Sequence, residues 1–334
     1  MTEAPRHHSE NCDDRIRESE LIALAASANF SLPDHVLIAP GDDMALVRIP
    51  GDRVLLAVDQ VVAGRHFTPN TSLDLIARKA VARNVSDVAA MAGRPIATLA
   101  CVTLPRAMSA SSASELLASV RKYASAFGCP LIGGDTSVHL DLAGPLTLSI
   151  TILAVPHSTG VAITRGGART SDLLIVSGNF GGSLQGDGLG RHLTFAPRIA
   201  EADDLAIRLG PDLHAMIDIS DGLGVDAARV IVESSKRCGR LLQARLDGAK
   251  IPCHEGVLIL DALRDGEDYE LFAAISPNAV VPLGWTVIGE VIDCPQGDQR
   301  AVVVICDDCE IDVTAFGWTH LGDGNTQGKN GGSQ

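Results

Sequence analysis

The aspartates of this chain sit where carboxylates can do chemistry. Asp42 and Asp43 follow Gly41 and precede an apolar stretch. Asp59 closes the run Leu55–Val58, Asp135 closes Leu131–Ile132–Gly133–Gly134, and Asp218 closes Ala215–Met216–Ile217, with Asp221 three residues on. An apolar run that stops at an aspartate predicts a carboxylate at a strand end, where α/β folds build their sites. Desolvating such a group is costly unless something offsets its charge. Taken singly, each reads first as a turn residue or a helix cap. Taken together they point to hard cations, because Mg²⁺ takes oxygen ligands and bridges carboxylates to nucleotide phosphates. Asn84 and Asp87, three apart on a helix expected from spacing, share one face, which a solvated helix surface would also explain.

Two further motifs are weaker. Gly178–Asn179–Phe180–Gly181–Gly182–Ser183 is a glycine-rich turn that can present backbone N–H groups to phosphate. It has neither a Gly-Lys-Ser/Thr ending nor G-x-G-x-x-G spacing, so a structural turn is the favoured reading. Cys306 and Cys309 make the only C-x-x-C among eight scattered cysteines, without a second pair at zinc-site spacing, and reduced thiols are expected.

The elements that must carry these groups alternate between apolar strands and helices of 3.6-residue period. In the first half, strands are expected over Met44–Ile49, Arg53–Val62, Pro95–Leu104 and Leu146–Val155. Helices are expected over Ile16–Ala28 and Leu73–Ala92, and from a capping box at Ser112 and Glu115 to Phe127. Leu131–Ile132 is expected to enter a Gly-Gly-Asp turn. The second half predicts strands over Leu173–Val176, Leu213–Ile217, Leu241–Leu246, Tyr269–Ile275, Thr286–Val291 and Ala301–Ile305, with helices over Pro197–Leu209 and Gly222–Ser234. Pro156–Gly160 reads as the domain boundary. The expected organisation is a polar, disordered lead at 1–14, an α/β domain at 15–157, a second at 158–321, and a disordered tail at 322–334.

The bulk numbers agree with this. The 334 residues suit two domains, and with 46% hydrophobic but only 3% aromatic residues the cores must be filled by Ala, Val, Leu and Ile. A net charge of −14 argues against nucleic acid or an anionic membrane as partner. No apolar run has transmembrane length and no apolar signal core opens the chain, so a cytoplasmic protein is expected.

Read in order, the motifs resemble those of the thiamine-monophosphate kinase family, in the aminoimidazole ribonucleotide synthetase-like superfamily. The matching pieces begin with Gly41–Asp42–Asp43, Val58–Asp59, Val62–Ala63–Gly64–Arg65–His66–Phe67 and Asn84–Val85–Ser86–Asp87. They continue with Gly133–Gly134–Asp135–Thr136, Thr164–Arg165–Gly166–Gly167, Arg191–His192–Leu193 and Asp218–Ile219–Ser220–Asp221–Gly222. Gly266–Glu267–Asp268–Tyr269–Glu270 and Gly317–Trp318 complete the set. The resemblance implies a two-domain α/β fold with mixed sheets, its N-terminal domain pairing sheets across a homodimer and its active site between the domains. It implies ATP and thiamine monophosphate as substrates and several Mg²⁺ ions. Asp43, Asp59, Asp87, Asp135, Asp218 and Asp221 would hold metal. Gly134, Asp135, Arg165 and Ser220 would lie around ATP, and His66, Glu267 and Trp318 would meet the thiamine monophosphate. Asp43, Asp87, Asp221 and Arg165 would carry catalysis.

Two departures stand out. Ala57 and Val58 precede Asp59 where the family usually has Ser or Thr, so side-chain hydroxyl ligation is lost there, and Gln60 also replaces a usual Thr; Met91–Ala92–Gly93–Arg94–Pro95 departs from the usual Met-Gly-Ala order, as a local turn difference. Competing readings are another ATP-dependent enzyme of the superfamily, and a non-catalytic paralogue that binds nucleotide or thiamine phosphate.

Overall fold

The computed structural model describes residues 32–38, 46–156, 160–307 and 309–318. They divide into two units. The first holds the chain up to Asn84 together with Pro95–Val155, and the second holds Val85–Arg94 and the chain from Pro156 onward. The expected helix over Ile16–Ala28, the polar ends of the chain, and Asp42 and Asp43 lie outside the described residues.

In the first unit, β1 (Val36–Ile38) pairs antiparallel with β2 (Leu46–Val47). A four-stranded sheet has the order β3 (Leu55–Val62), β6 (Thr147–Pro156), β4 (Gly93–Leu104), β5 (Leu131–Val138). β3 and β6 run antiparallel, β4 and β5 parallel. Strand alternation sorts the side chains. Leu148, Ile150, Ile152 and Ala154 of β6 face inward and are buried. Two helices supply matching apolar stripes: α1 (Leu73–Ala90) with Ile76, Ala77, Ala80 and Val81, and α2 (Ala110–Ala126) with Leu116, Val120 and Ala124. The opposite face carries Leu56 and Val58, 66% and 63% exposed, with Leu99 and Cys101 also exposed.

Three local expectations change. α2 starts two residues before Ser112, because Ser109 has extended backbone geometry and its Oγ accepts from Ser112 N at 3.1 Å, making it the cap. Gly133–Gly134–Asp135 is not a turn but the middle of β5. The glycine there permits strand pairing: a Cβ on Gly134 would meet the Ala100 carbonyl oxygen at 2.0 Å. Asp59 likewise does not end its strand, since β3 keeps its register with β6 past the Asp59–Ile150 pair as far as Val62.

The second unit is built on a seven-stranded sheet. Its order is β13 (Cys309–Asp312), β12 (Val302–Cys306), β9 (Leu242–Asp247), β11 (Trp285–Asp293), β7 (Leu173–Ser177), β10 (Leu271–Ile275), β8 (Leu213–Asp218). Only β9 and β12 pair in parallel. Its central strands are buried on both faces. Val176, Ile217 and Phe272 enter one core with Leu223 and Ile231 of α4 (Leu223–Cys238). Ile175, Met216, Ala273 and Ile275 enter another with Ala202, Leu205 and Leu209 of α3 (Ile199–Leu209). Ala89 and Ala92 belong to this second core, which explains why Val85–Arg94 groups with the second unit. A short helix, α5 (Ile259–Arg264), and β13, which closes a hairpin with β12, complete the unit; neither α5 nor β13 has a periodic signal long enough to read from sequence, whereas β12 falls where a strand is expected. Among the described residues no helix is long and apolar enough to cross a membrane.

Gly134→Ala should lower the stability of the protein by about 2 kcal/mol, because backbone of β4 rather than a flexible side chain blocks the added methyl. An unchanged urea midpoint would contradict this account of β5.

Candidate functional site

The site in the second unit starts from Asp218, the last residue of β8. Alternation from Met216 turns it toward the core that contains Ala89 and Ala92. There Ser86 Oγ donates to Asp218 Oδ2 at 2.6 Å, and both side chains are buried. The chain then turns through Ile219, Ser220 and Asp221 into Gly222, the N-cap of α4, which has no side chain to cap with. Asp226, within the first turn of α4, reaches back instead. Its Oδ2 accepts from the amides of Ser220 and Asp221 at 2.9 Å and of Gly222 at 3.2 Å. Burial pushes the Asp226 carboxyl up to about 7, while Arg229 pulls it down. Arg229 bridges the turn, bonding Asp226 through Nη1 and Asp221 Oδ2 through Nη2 at 2.6 Å.

Two distant segments cross this turn by backbone hydrogen bonds. Ile219 N donates to Glu270 O at 2.7 Å, Tyr269 N to Ile219 O at 2.8 Å, and Glu267 N to Ser220 O at 2.7 Å. The approach needs glycine at 266, where a Cβ would meet Ser220 O at 2.8 Å. Trp318 N donates to Asp221 O at 2.8 Å. Three segments far apart in sequence, carrying Asp218, Ser220 and Asp221, then Glu267, then Trp318, therefore meet at one crossing. Glu267 has φ +63°, and its carboxylate lies 3.1 Å from His192 Nδ1. The Trp318 side chain is 56% exposed.

The glycine-rich 178–183 segment leads to no helix directly and offers no amide cradle at Gly181 and Gly182. Gly181 N donates to Asp268 and Gly182 N to Asp265 Oδ2 at 2.9 Å. Asp268 also accepts from Ser183 Oγ and faces Arg191, and burial pushes it up to about 6. Glu270 accepts from Ser177 Oγ at 2.6 Å and pairs with Arg198. The favoured structural reading of this segment is the one the contacts support. Arg165 is exposed and lines an open cavity of about 420 Å³ with Val225, Ala228, Arg229, Val232 and Glu233.

In the first unit, Asp59 faces α1. Its N–H donates to Asn84 Oδ1 at 3.0 Å, and its carboxylate lies 3.3 Å from Arg83 Nε. Asn84 is fully buried, so the solvated-face reading fails for it, while Asp87 is half-buried. Asp135 is exposed and pairs in register with Cys101, on the sheet face opposite to Asp59 and on the far edge strand. His66 sits in the turn after β3: its Nδ1 accepts from Val62 N at 3.0 Å, which places the proton of the neutral ring on Nε2. The fully buried Lys79 donates to His66 O at 2.7 Å.

Asp226, Arg229 and Lys79 carry no sequence motif, and His192 and Asp268 fall within the matching motifs without an expected role. The one available signal was an acid in the first turn of a helix whose N-cap is glycine. Asp59, Asp87, Asp135, Asp218 and Asp221 each offer carboxylate oxygens, the donor type that Mg²⁺ takes. Among the described residues no three His, Cys, Asp or Glu side chains converge as a metal cage, and Asp43 lies outside those residues.

Residues 41–155 match the family of AIR synthase related proteins, N-terminal domain. The thiamine-monophosphate kinase of Rhodopirellula baltica is 33% identical over 276 residues, covering 78% of this chain and 83% of that relative. A solved structure of AaThiL complexed with AMPPCP and TMP superposes with a TM-score of 0.66 at 25% identity, covering 80% of this chain and 87% of that one. The thiamine-monophosphate kinase of Stenotrophomonas maltophilia K279a gives 0.66 at 27% identity, covering 81% and 91%.

The raised Asp268 yields a pH signature. Its folded-state carboxyl binds a proton more tightly than the unfolded chain does, so its favourable contribution is complete below about pH 4 and lost as pH rises through about 6. In urea unfolding, the stability of wild type minus that of Asp268→Asn should fall by about 2 kcal/mol between pH 4 and pH 7. A pH-independent difference would reject this assignment.

Proposed function

The chain belongs to the thiamine-monophosphate kinase family, and on that premise we propose that it transfers the γ-phosphoryl group of ATP to thiamine monophosphate, giving thiamine diphosphate and ADP in the cytoplasm. The observation that carries this reading is the crossing of the Asp218–Gly222 turn with Glu267 and Trp318. It unites residues for which the family resemblance implies metal, nucleotide and substrate contacts.

The acceptor is a phosphate monoester whose second pKa is roughly 6. It is largely ionised at neutral pH, so direct in-line attack requires no general base. The barrier lies in bringing two polyanions together, and positioning and charge stabilisation supply most of the catalysis. Asp43, Asp59, Asp87, Asp135, Asp218 and Asp221 would hold Mg²⁺, which offsets phosphate charge when bound. Gly134, Asp135, Arg165 and Ser220 would contact ATP, with Arg165 as a fixed cation. His66 would offer its Nε2–H to the acceptor phosphate. Glu267 would answer the thiazolium charge or the aminopyrimidine donors, and Trp318 would stack on a ring.

Pairing of two copies through the four-stranded sheet fits the exposed apolar face around Leu56 and Val58. Asp59 and Asp135 occupy opposite edges and faces of that sheet, so neither can share one ion with the other from a single chain.

Two measurements test the reading. ADP release should require both Mg²⁺ and thiamine monophosphate, with thiamine diphosphate as product, and Asp221→Asn should cut kcat about a hundredfold or more. Calorimetric binding of ATP without turnover would favour the non-catalytic paralogue instead. Val58→Asp, which places a charge on the apolar sheet face, should shift the particle mass in light scattering from dimer to monomer; an unaltered mass would remove that face from the assembly.

A further inference from the structure

We propose that Arg229 is a second phosphate contact for the nucleotide, held on Asp221 until a divalent cation displaces it. The inference rests on the ATP-dependent reading above and adds a residue to it.

The Arg229 guanidinium is bound on one side, by Asp221 and Asp226, and its side chain is 38% exposed. The same side chain lines the open cavity that Arg165 lines. The wall between them is apolar: Val225, Ala228 and Val232 lie on one face of α4. Glu233 is the only carboxylate among the cavity's described lining residues, and Lys236 Nζ offsets it at 2.6 Å. Two guanidinium groups around one cavity suit a phosphate chain, because each planar fork bonds two oxygens.

Asp221 carries one negative charge, and two cations have reason to claim it. A Mg²⁺ held by Asp221 would compete for the oxygen that Arg229 Nη2 now bonds at 2.6 Å and would weaken the guanidinium's hold. Asp226 keeps three amide partners whether or not Arg229 stays, so the turn survives the exchange. The guanidinium can then swing toward the cavity, where the phosphates that accompany the metal take it up. Arg229 thus opposes metal binding without nucleotide and favours nucleotide binding with metal. A purely structural residue would not give effects of opposite sign.

The test is titration calorimetry on wild type, Arg229→Gln and Arg229→Lys, using Mn²⁺ alone and then the ATP analogue AMPPCP at saturating Mg²⁺. Arg229→Gln should bind Mn²⁺ several-fold more tightly and AMPPCP about tenfold more weakly, with KM for thiamine monophosphate unchanged. Arg229→Lys keeps the charge that opposes metal but lacks the fork. It should match wild type for Mn²⁺ and fall between the other two for AMPPCP, and it stands alone as the test should Arg229→Gln not fold. Affinities that stay equal, or that fall together for both ligands, overturn the proposal while leaving the kinase reading intact. A wild type that binds no AMPPCP removes both.

Discussion

Asp226 is buried at the start of a helix, and a carboxylate in that position must find donors. It finds them in the amides of Ser220, Asp221 and Gly222. That obligation shapes the neighbourhood. It holds the exit of β8 in a tight turn, which leaves the carbonyls of Ile219, Ser220 and Asp221 as acceptors for Tyr269, Glu267 and Trp318. Remove the carboxylate and three amide donors lose their partner at the point where three chain segments cross.

The same logic governs the carboxylates of the 265–270 loop. Asp265, Asp268 and Glu270 accept from the amides and hydroxyls of the 177–183 segment and pair with Arg191 and Arg198, while Glu267 meets His192. A chain of net charge −14 thus spends several acids inside one unit as anchors for loops. Tyr269 stacks on Phe195 with ring centroids 3.9 Å apart, which ties the 265–270 loop to the stretch between Arg191 and Arg198.

Much of this was legible in the sequence. Strands such as Leu173–Ser177 and Trp285–Asp293 are apolar runs bounded by turn residues, and α1 announces itself through its spacing. Asp218 fell at a strand end as its apolar run predicted. Asp59 and Asp135 did not, because strand continuation depends on what the neighbouring strand accepts: Ile150 opposite Asp59 and Cys101 opposite Asp135. Ser109 displaced Ser112 as a cap because four closely spaced serines, at 109, 111, 112 and 114, are chemically equal candidates and only backbone geometry chooses between them. Asp226 and Arg229 were hidden for another reason. Their partners lie a few residues upstream in a turn, and local periodicity carries no record of a side chain that reaches backward. The shared identity of Val85–Arg94 with the second unit is equally silent in composition.

The sequence contains two tryptophans. Trp285 begins β11 and is half-buried. Trp318 is largely exposed, yet its main-chain N–H is tied to Asp221. An indole so placed is an optical reporter supplied by the protein itself: with Trp285 replaced by Phe, the emission maximum and quenching of the remaining chromophore would follow the crossing alone, in real time and without an attached dye.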